Sequence, residues 1–202
     1  MCMLSAGKMA YCGIDIGKEN MALSFIMPNE EVITYKGAVN GKKSYLIRYA
    51  QDEEPIELRL VRVIDTYRDI CCLLSMVDEL KHTTQTYIEL QVCMHNSSIL
   101  KLEGVILGFL LGRYTRMQIA SCSSIKRTNF ANAYVKKHNI TGRHIVGNPP
   151  ATKVNTMYMV GHLFPDFYDY LLQFVNRSSE WDLGKMDDAC DTIAYAYMAR
   201  VS

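Results

Sequence analysis

Three carboxylates fall within five residues near the end of this chain, in the run Lys185-Met186-Asp187-Asp188-Ala189-Cys190-Asp191-Thr192-Ile193-Ala194. On a helix, Asp188 and Asp191 are three apart and share a face, while Asp187 points elsewhere. Two like charges so placed repel by about 0.2–0.5 kcal/mol, and a cation between them reverses the sign. Two more acids stand in apolar, strand-like settings. Asp15 ends the run AYCGID before Ile16-Gly17, and Glu89 follows Thr86-Tyr87-Ile88. Asp is disfavoured in strands, and burying a carboxylate is costly unless it is paired or metal-bound. Read alone, Asp15 fits a turn residue and Glu89 a solvent-facing strand residue. Taken together, Asp15, Glu89, Asp188 and Asp191 offer hard oxygen ligands suited to Mg2+ or Mn2+. Two such ions can activate water and stabilise the leaving oxygen in phosphodiester hydrolysis.

The elements that must bring these acids together follow from the patterning. Strands are expected over 10–16, 21–27, 31–39, 84–92 and 116–122, and a loop over 40–55. Helical spacing runs over 57–82 and 98–114, then over 128–138, 151–164, 166–176 and 185–200. The Gly- and Pro-punctuated stretch 140–150 reads as a loop. The order βββαβαβ followed by helices implies an α/β fold, with a mixed five-stranded sheet flanked by helices.

At 202 residues the chain is expected to form a single domain over 1–202, with 1–8 a flexible leader. No apolar run reaches the ~18 residues a membrane helix needs, and the leader lacks the apolar region of a secretory signal. The seven cysteines show no zinc spacing. Their odd number and apolar settings suggest free thiols in an intracellular, reducing compartment, with cytoplasm and mitochondrion not distinguished. The five histidines lack metal-site spacing. No nucleophile elbow and no phosphate-binding glycine loop is present.

Net charge is +1, but it is unevenly spread. Residues 104–165 hold no Asp or Glu and carry Arg113, Arg116, Lys126, Arg127, Lys136, Lys137, Arg143 and Lys153, so this stretch is +8 and the remainder is −7. A basic region beside a carboxylate cluster suits a polyanion held near metal ions. The first seven of these cations are the expected DNA contacts.

Three sets of residues are similar to motifs of RuvC-like Holliday junction resolvases, closest to the poxvirus and fungal mitochondrial branch. They are Ile14-Asp15-Ile16-Gly17 with Asn20, Ile88-Glu89 with Gln91, and Lys185-x-Asp187-Asp188-x-x-Asp191. The resemblance spans 9–199 and implies an RNase H-like fold. It implies Asp15 as the first-strand metal ligand, Glu89 as the fourth-strand ligand, and Asp188 and Asp191 as the pair on the last helix. It also implies a lysine near the cleavage site. Lys153, in Asn148-Pro149-Pro150-Ala151-Thr152-Lys153, matches that position, and Lys126 resembles a second basic position. A cation there could neutralise charge developing on the phosphate. His95-Asn96-Ser97-Ser98-Ile99-Leu100-Lys101-Leu102 resembles the loop and helix start after the glutamate strand, a helix that forms much of the family's homodimer interface. Leu90 stands where the poxvirus and fungal members carry arginine, and Val92-Cys93-Met94 hold no aromatic where the bacterial branch often has one.

The function implied is metal-dependent cleavage of four-way DNA junctions by paired nicks. It would use Mg2+ or Mn2+, two ions per subunit, and act as a homodimer on branched DNA without a membrane. Two alternatives share these residues. One is an RNase H-like nuclease acting on RNA–DNA hybrids or flaps. The other is a non-catalytic scaffold that binds branched DNA.

Overall fold

The structure is a computed structural model that describes residues 9–40, 42–90, 97–142, 145, 149–175, 177 and 181–202. Among the described residues seven strands form one sheet: β1 (Ala10–Asp15), β2 (Met21–Ile26), β3 (Val32–Val39), β4 (Ser44–Ala50), β5 (Ile56–Arg59), β6 (Thr83–Glu89) and β7 (Gln118–Cys122). Their order is β5-β4-β3-β2-β1-β6-β7. The first five run antiparallel, each to the next, whereas β6 joins β1 and β7 joins β6 in parallel. The helices are α1 (Thr66–Ser75), α2 (Ser97–Arg113), α3 (Ser124–Lys137), α4 (Ala151–Leu163), α5 (Pro165–Leu172) and α6 (Met186–Val201), with a short 3-10 helix at Asp78–His82. The expected α/β class, a mixed sheet flanked by helices, stands, and among the described residues the sheet has seven strands instead of the expected five.

The two extra strands come from misjudged local signals. Residues 40–55 read as a polar loop, yet β4 lies there. Its polar side chains are satisfied across the fold: the Ser44 hydroxyl donates to Asp69 at 2.6 Å, and Arg48 Nε donates to Glu79 at 3.1 Å. The expected helix over 57–82 is shorter for a related reason. Residues 56–59 pair with β4 as β5. Asp65 then caps α1, accepting from the backbone N–H of Tyr67 and Arg68 at 2.9 Å each. The leader expected at 1–8, residues 91–96 after the glutamate strand, and Arg143 lie outside the described residues.

Alternation along the strands divides the core between the two faces of the sheet. Cys12, Ile14, Leu23, Phe25, Ile33 and Leu46 pack with α1 and α2. The opposite face packs on α4, α5 and α6 through residues such as Ile26, Val32 and Tyr49. Residues 186–196 of α6 are buried without a break, so this helix lies within the protein, against β1, β2 and β6. Gly13 permits the close approach: a Cβ there would meet the Thr192 carbonyl oxygen at 2.0 Å. A hydroxyl chain fixes the same contact, with Ser24 2.8 Å from Thr34 and 2.6 Å from Thr192.

Candidate active site

Strand register assembles the first half of the site. Asp15 of β1 pairs with Ala22 of β2, and Ala22 pairs with Lys36 of β3. Residues paired across neighbouring strands share a face, so Asp15 and Lys36 face α6 from one rung with only an alanine side chain between them. On the other side Ile14 pairs with Ile88. The next residues on these parallel strands, Asp15 and Glu89, therefore emerge side by side. Both sit at strand ends, where the sheet opens onto a cleft of about 460 Å3 lined by Asp15, Glu89, Ser124, Arg127, Lys153 and Asp191.

Helix α6 supplies the second half. It starts without a side-chain cap, and Asp187 and Asp188 occupy its first turn, where the helix dipole favours negative charge. Asp191 follows one turn on and is 1% exposed. Three cations answer these acids. Lys153 Nζ of α4 lies 2.8 Å from Asp187 and 3.1 Å from both Asp188 and Asp191. The buried Arg127 guanidinium of α3 lies 2.8 Å from Asp191. Lys36 Nζ donates to Asp188 Oδ2 at 3.1 Å and to the Lys185 carbonyl at 2.6 Å.

Charge sorts the carboxyls into two kinds. Burial, then the neighbouring Glu89 charge, pushes Asp15 up to about 8. Burial raises Glu89 as well, and pushes Asp191 up to about 7 despite Arg127 and Lys153. Burial acts on Asp188 in the same sense, but Lys36 and Lys153 outweigh it and hold that carboxyl below the usual range. Burial also works against the charge on Lys153, yet the three aspartates around it keep its ammonium well above the ordinary lysine range. Among the described residues five carboxyls thus face three cations, and with every group ionised these eight are two positive charges short of neutrality.

A divalent cation has that missing charge, and the donor set suits a hard ion. Asp191 Oδ2 carries both Arg127 and Lys153, whereas Oδ1 is buried with no hydrogen-bond partner among the described residues, which leaves its lone pairs available for coordination. Among the described residues the acids do not close into a ready three-ligand cage. The Lys153 ammonium stands among the three aspartates instead. The residues fit the ion chemically, with Lys153 as the cation in place.

The expected residues Asp15, Glu89, Lys153, Asp188 and Asp191 are all brought together here. Asp187, expected to point elsewhere, joins them through Lys153. Lys126 does not join: it is exposed, with its ammonium over the Tyr87 ring at 5.5 Å to the centroid. Arg127, expected as a DNA contact, is instead 3% exposed and paired with Asp191. Arg113, Arg116, Lys136 and Lys137 are exposed. Lys36 was missed. Its signal was a lysine inside the apolar run VITYKGAV, a placement as unfavourable for an ammonium as that of Asp15 is for a carboxylate.

No protein-family model matches this chain, and no curated protein matches it. Among solved structures it is similar to T. thermophilus RuvC in complex with Holliday junction substrate, over 96% of this chain and 97% of that one, at 14% identity and a TM-score of 0.48. It is also similar to a second Thermus thermophilus RuvC structure, over 96% of each chain, at 14% identity and a TM-score of 0.46.

Proposed function

We propose that this chain is a metal-dependent, structure-selective DNA endonuclease that resolves four-way junctions, allied by its motifs to the poxvirus and fungal mitochondrial resolvases. The observation that carries the reading is the convergence of Asp15, Glu89 and Asp191 on one cleft, with Asp188 joined to it through the cleft-lining Lys153, next to a segment rich in exposed cations. Asp15, Glu89, Asp188 and Asp191 would hold Mg2+ or Mn2+, which supplies an activated water and charge neutralisation at the phosphate when bound.

The chain's own groups do the rest. Lys153 reaches the cleft from α4 and is the most exposed of the three cations, placed to turn from the aspartates toward a phosphate. Arg127 stays behind Asp191 and fixes its orientation. Arg113, Arg116, Lys126, Lys136 and Lys137 hold the DNA backbone, and sequence preference comes from junction deformability. A homodimer would match the two-fold symmetry of paired nicks. Helix α2 is the surface for it: Leu100 and Leu111 are exposed on it, and its three glycines face open space. The free thiols Cys12, Cys71, Cys72, Cys122 and Cys190 suit a reducing intracellular setting.

The test is cleavage of a labelled four-way junction with Mg2+, beside a linear duplex, a flap and an RNA–DNA hybrid. Paired symmetric nicks in the junction alone are expected. Preferential cutting of the hybrid or flap assigns the chain to another RNase H-like nuclease. Junction binding without cleavage under Mg2+ or Mn2+ makes it a scaffold.

A further inference from the structure

The two lysines that hold Asp188 differ in kind. Lys153 grips Oδ1 at 3.1 Å, shares its ammonium among three aspartates, and is 23% exposed at the edge of the cleft. An arriving cation can displace it. Lys36 grips Oδ2 at 3.1 Å, is 6% exposed, and is anchored by a second bond of 2.6 Å to the Lys185 carbonyl. Its stem rises from the middle of the sheet, on the rung of Ala22 and Asp15. Moving it would strand a buried ammonium and leave the Lys185 carbonyl without this donor.

We propose that Lys36 restricts Asp188 to a single coordinating oxygen, Oδ1, and so tunes the site toward Mg2+ and against Ca2+. The inference rests on the metal-dependent reading above. Ca2+ takes six to eight oxygens at about 2.3–2.6 Å and commonly engages both oxygens of a carboxylate. Mg2+ is smaller, takes six ligands at about 2.0–2.1 Å, and keeps waters beside one or two carboxylates. With Oδ2 committed to Lys36, the Asp188 position offers what Mg2+ needs and less than Ca2+ prefers. Lys36 is therefore a positioning residue: it acts on the ion through Asp188 and does not touch the reacting phosphate.

Calorimetric titration of the full chain with MgCl2 and with CaCl2, for the wild type and Lys36→Met, tests the assignment without relying on cleavage. Circular dichroism and a thermal melt establish that the variant is folded. Removing the ammonium changes the charge felt by both ions alike, so the result lies in the ratio of affinities. The Ca2+-to-Mg2+ affinity ratio is expected to rise by about tenfold in Lys36→Met, the scale on which outer partners of a metal ligand act. An unchanged ratio in a folded variant overturns the proposal. If Lys36→Met does not fold, a crystal structure of the wild type with Ca2+ reads the same point directly. Asp188 bound through one oxygen, with Lys36 on the other, supports the proposal, and Asp188 bound through both overturns it. A wild-type protein that takes up neither ion overturns the metal-dependent reading along with it. One that binds Mg2+ but fails the Lys36 comparison leaves that reading standing.

Discussion

Asp15 and Asp191 give the site a pH signature. Their ordinary value of 3.8 is pushed up to about 8 and about 7, chiefly by burial. A carboxyl whose pKa is higher folded than unfolded contributes stability that is fully present below the unfolded value and is lost as pH rises through the folded one. Without divalent ions, Asp15→Asn should therefore gain stability relative to the wild type as pH rises from about 4 to about 9, since the neutral amide escapes that loss. Parallel melting curves across that range would refute the burial argument. Added Mg2+ should recover wild-type stability on the alkaline side, because ligands bind metal in their deprotonated form. For activity, Asp15→Asn and Asp188→Asn should each lower Mg2+-dependent junction cleavage by at least about a hundredfold, more than losing an outer partner of a metal ligand costs. Gel-shift affinity for the junction should stay near wild type. Wild-type cleavage rates in both variants would remove these residues from the site.

The contact of α6 with β1 is the element on which the site depends. The backbone of α6 passes so close to Gly13 that no side chain fits between them. Gly13→Ala should destabilise the fold by about 1–3 kcal/mol through overpacking. It should also reduce cleavage more than the stability loss explains, because a displaced α6 takes Asp188 and Asp191 away from Asp15. Chemical denaturation and single-turnover cleavage measure the two effects, and an alanine variant with native stability and rate would contradict the packing. Helix α2 is the second element at issue. Leu107, on its almost wholly apolar sequence, is partly buried against the core and is a poor probe of an outer face. Gly108 is a better one, since a Cβ there meets nothing within 4 Å. Gly108→Val should leave the folded monomer at least as stable, since valine has the higher helix propensity and its Cβ meets nothing, yet halve the mass seen by light scattering if α2 pairs with a second copy. A dimer that survives the substitution would place the subunit contact elsewhere.

At the scale of the whole molecule, the proposed encounter with DNA would be governed by charge separation. Of the eight cations in 104–165, Arg127 and Lys153 are engaged by the aspartates, which leaves Arg113, Arg116, Lys126, Lys136 and Lys137 exposed among the described residues. Log affinity for a four-way junction should fall linearly with log salt, and each lost phosphate contact should reduce the slope by about 1. Replacing Lys136 and Lys137 by Glu should weaken binding to all branched substrates alike. Binding that ignores salt between about 50 and 200 mM would exclude backbone charge as the source of affinity.

Residue chemistry and element order were legible without any structure. Asp15, Glu89, Asp188 and Asp191 stood out because acids are costly in apolar strands and at helical spacing within an apolar run. Five strands and most helices followed from periodicity, which is a local property of the chain. Three things required the tertiary structure. Residues 44–50 became β4 because Ser44 and Arg48 find distant partners in Asp69 and Glu79, and local polarity cannot reveal such pairing. Arg127 and Lys153 looked like members of one basic segment, and only the packing of α3 and α4 against α6 turned them onto the aspartates. Lys36 entered the site through a rung across three strands, over 150 residues from the Asp188 it holds. A sequence specifies which charges exist and on which elements they ride. Which charge neutralises which depends on strand register and helix packing, interactions between parts of the chain that no local pattern encodes.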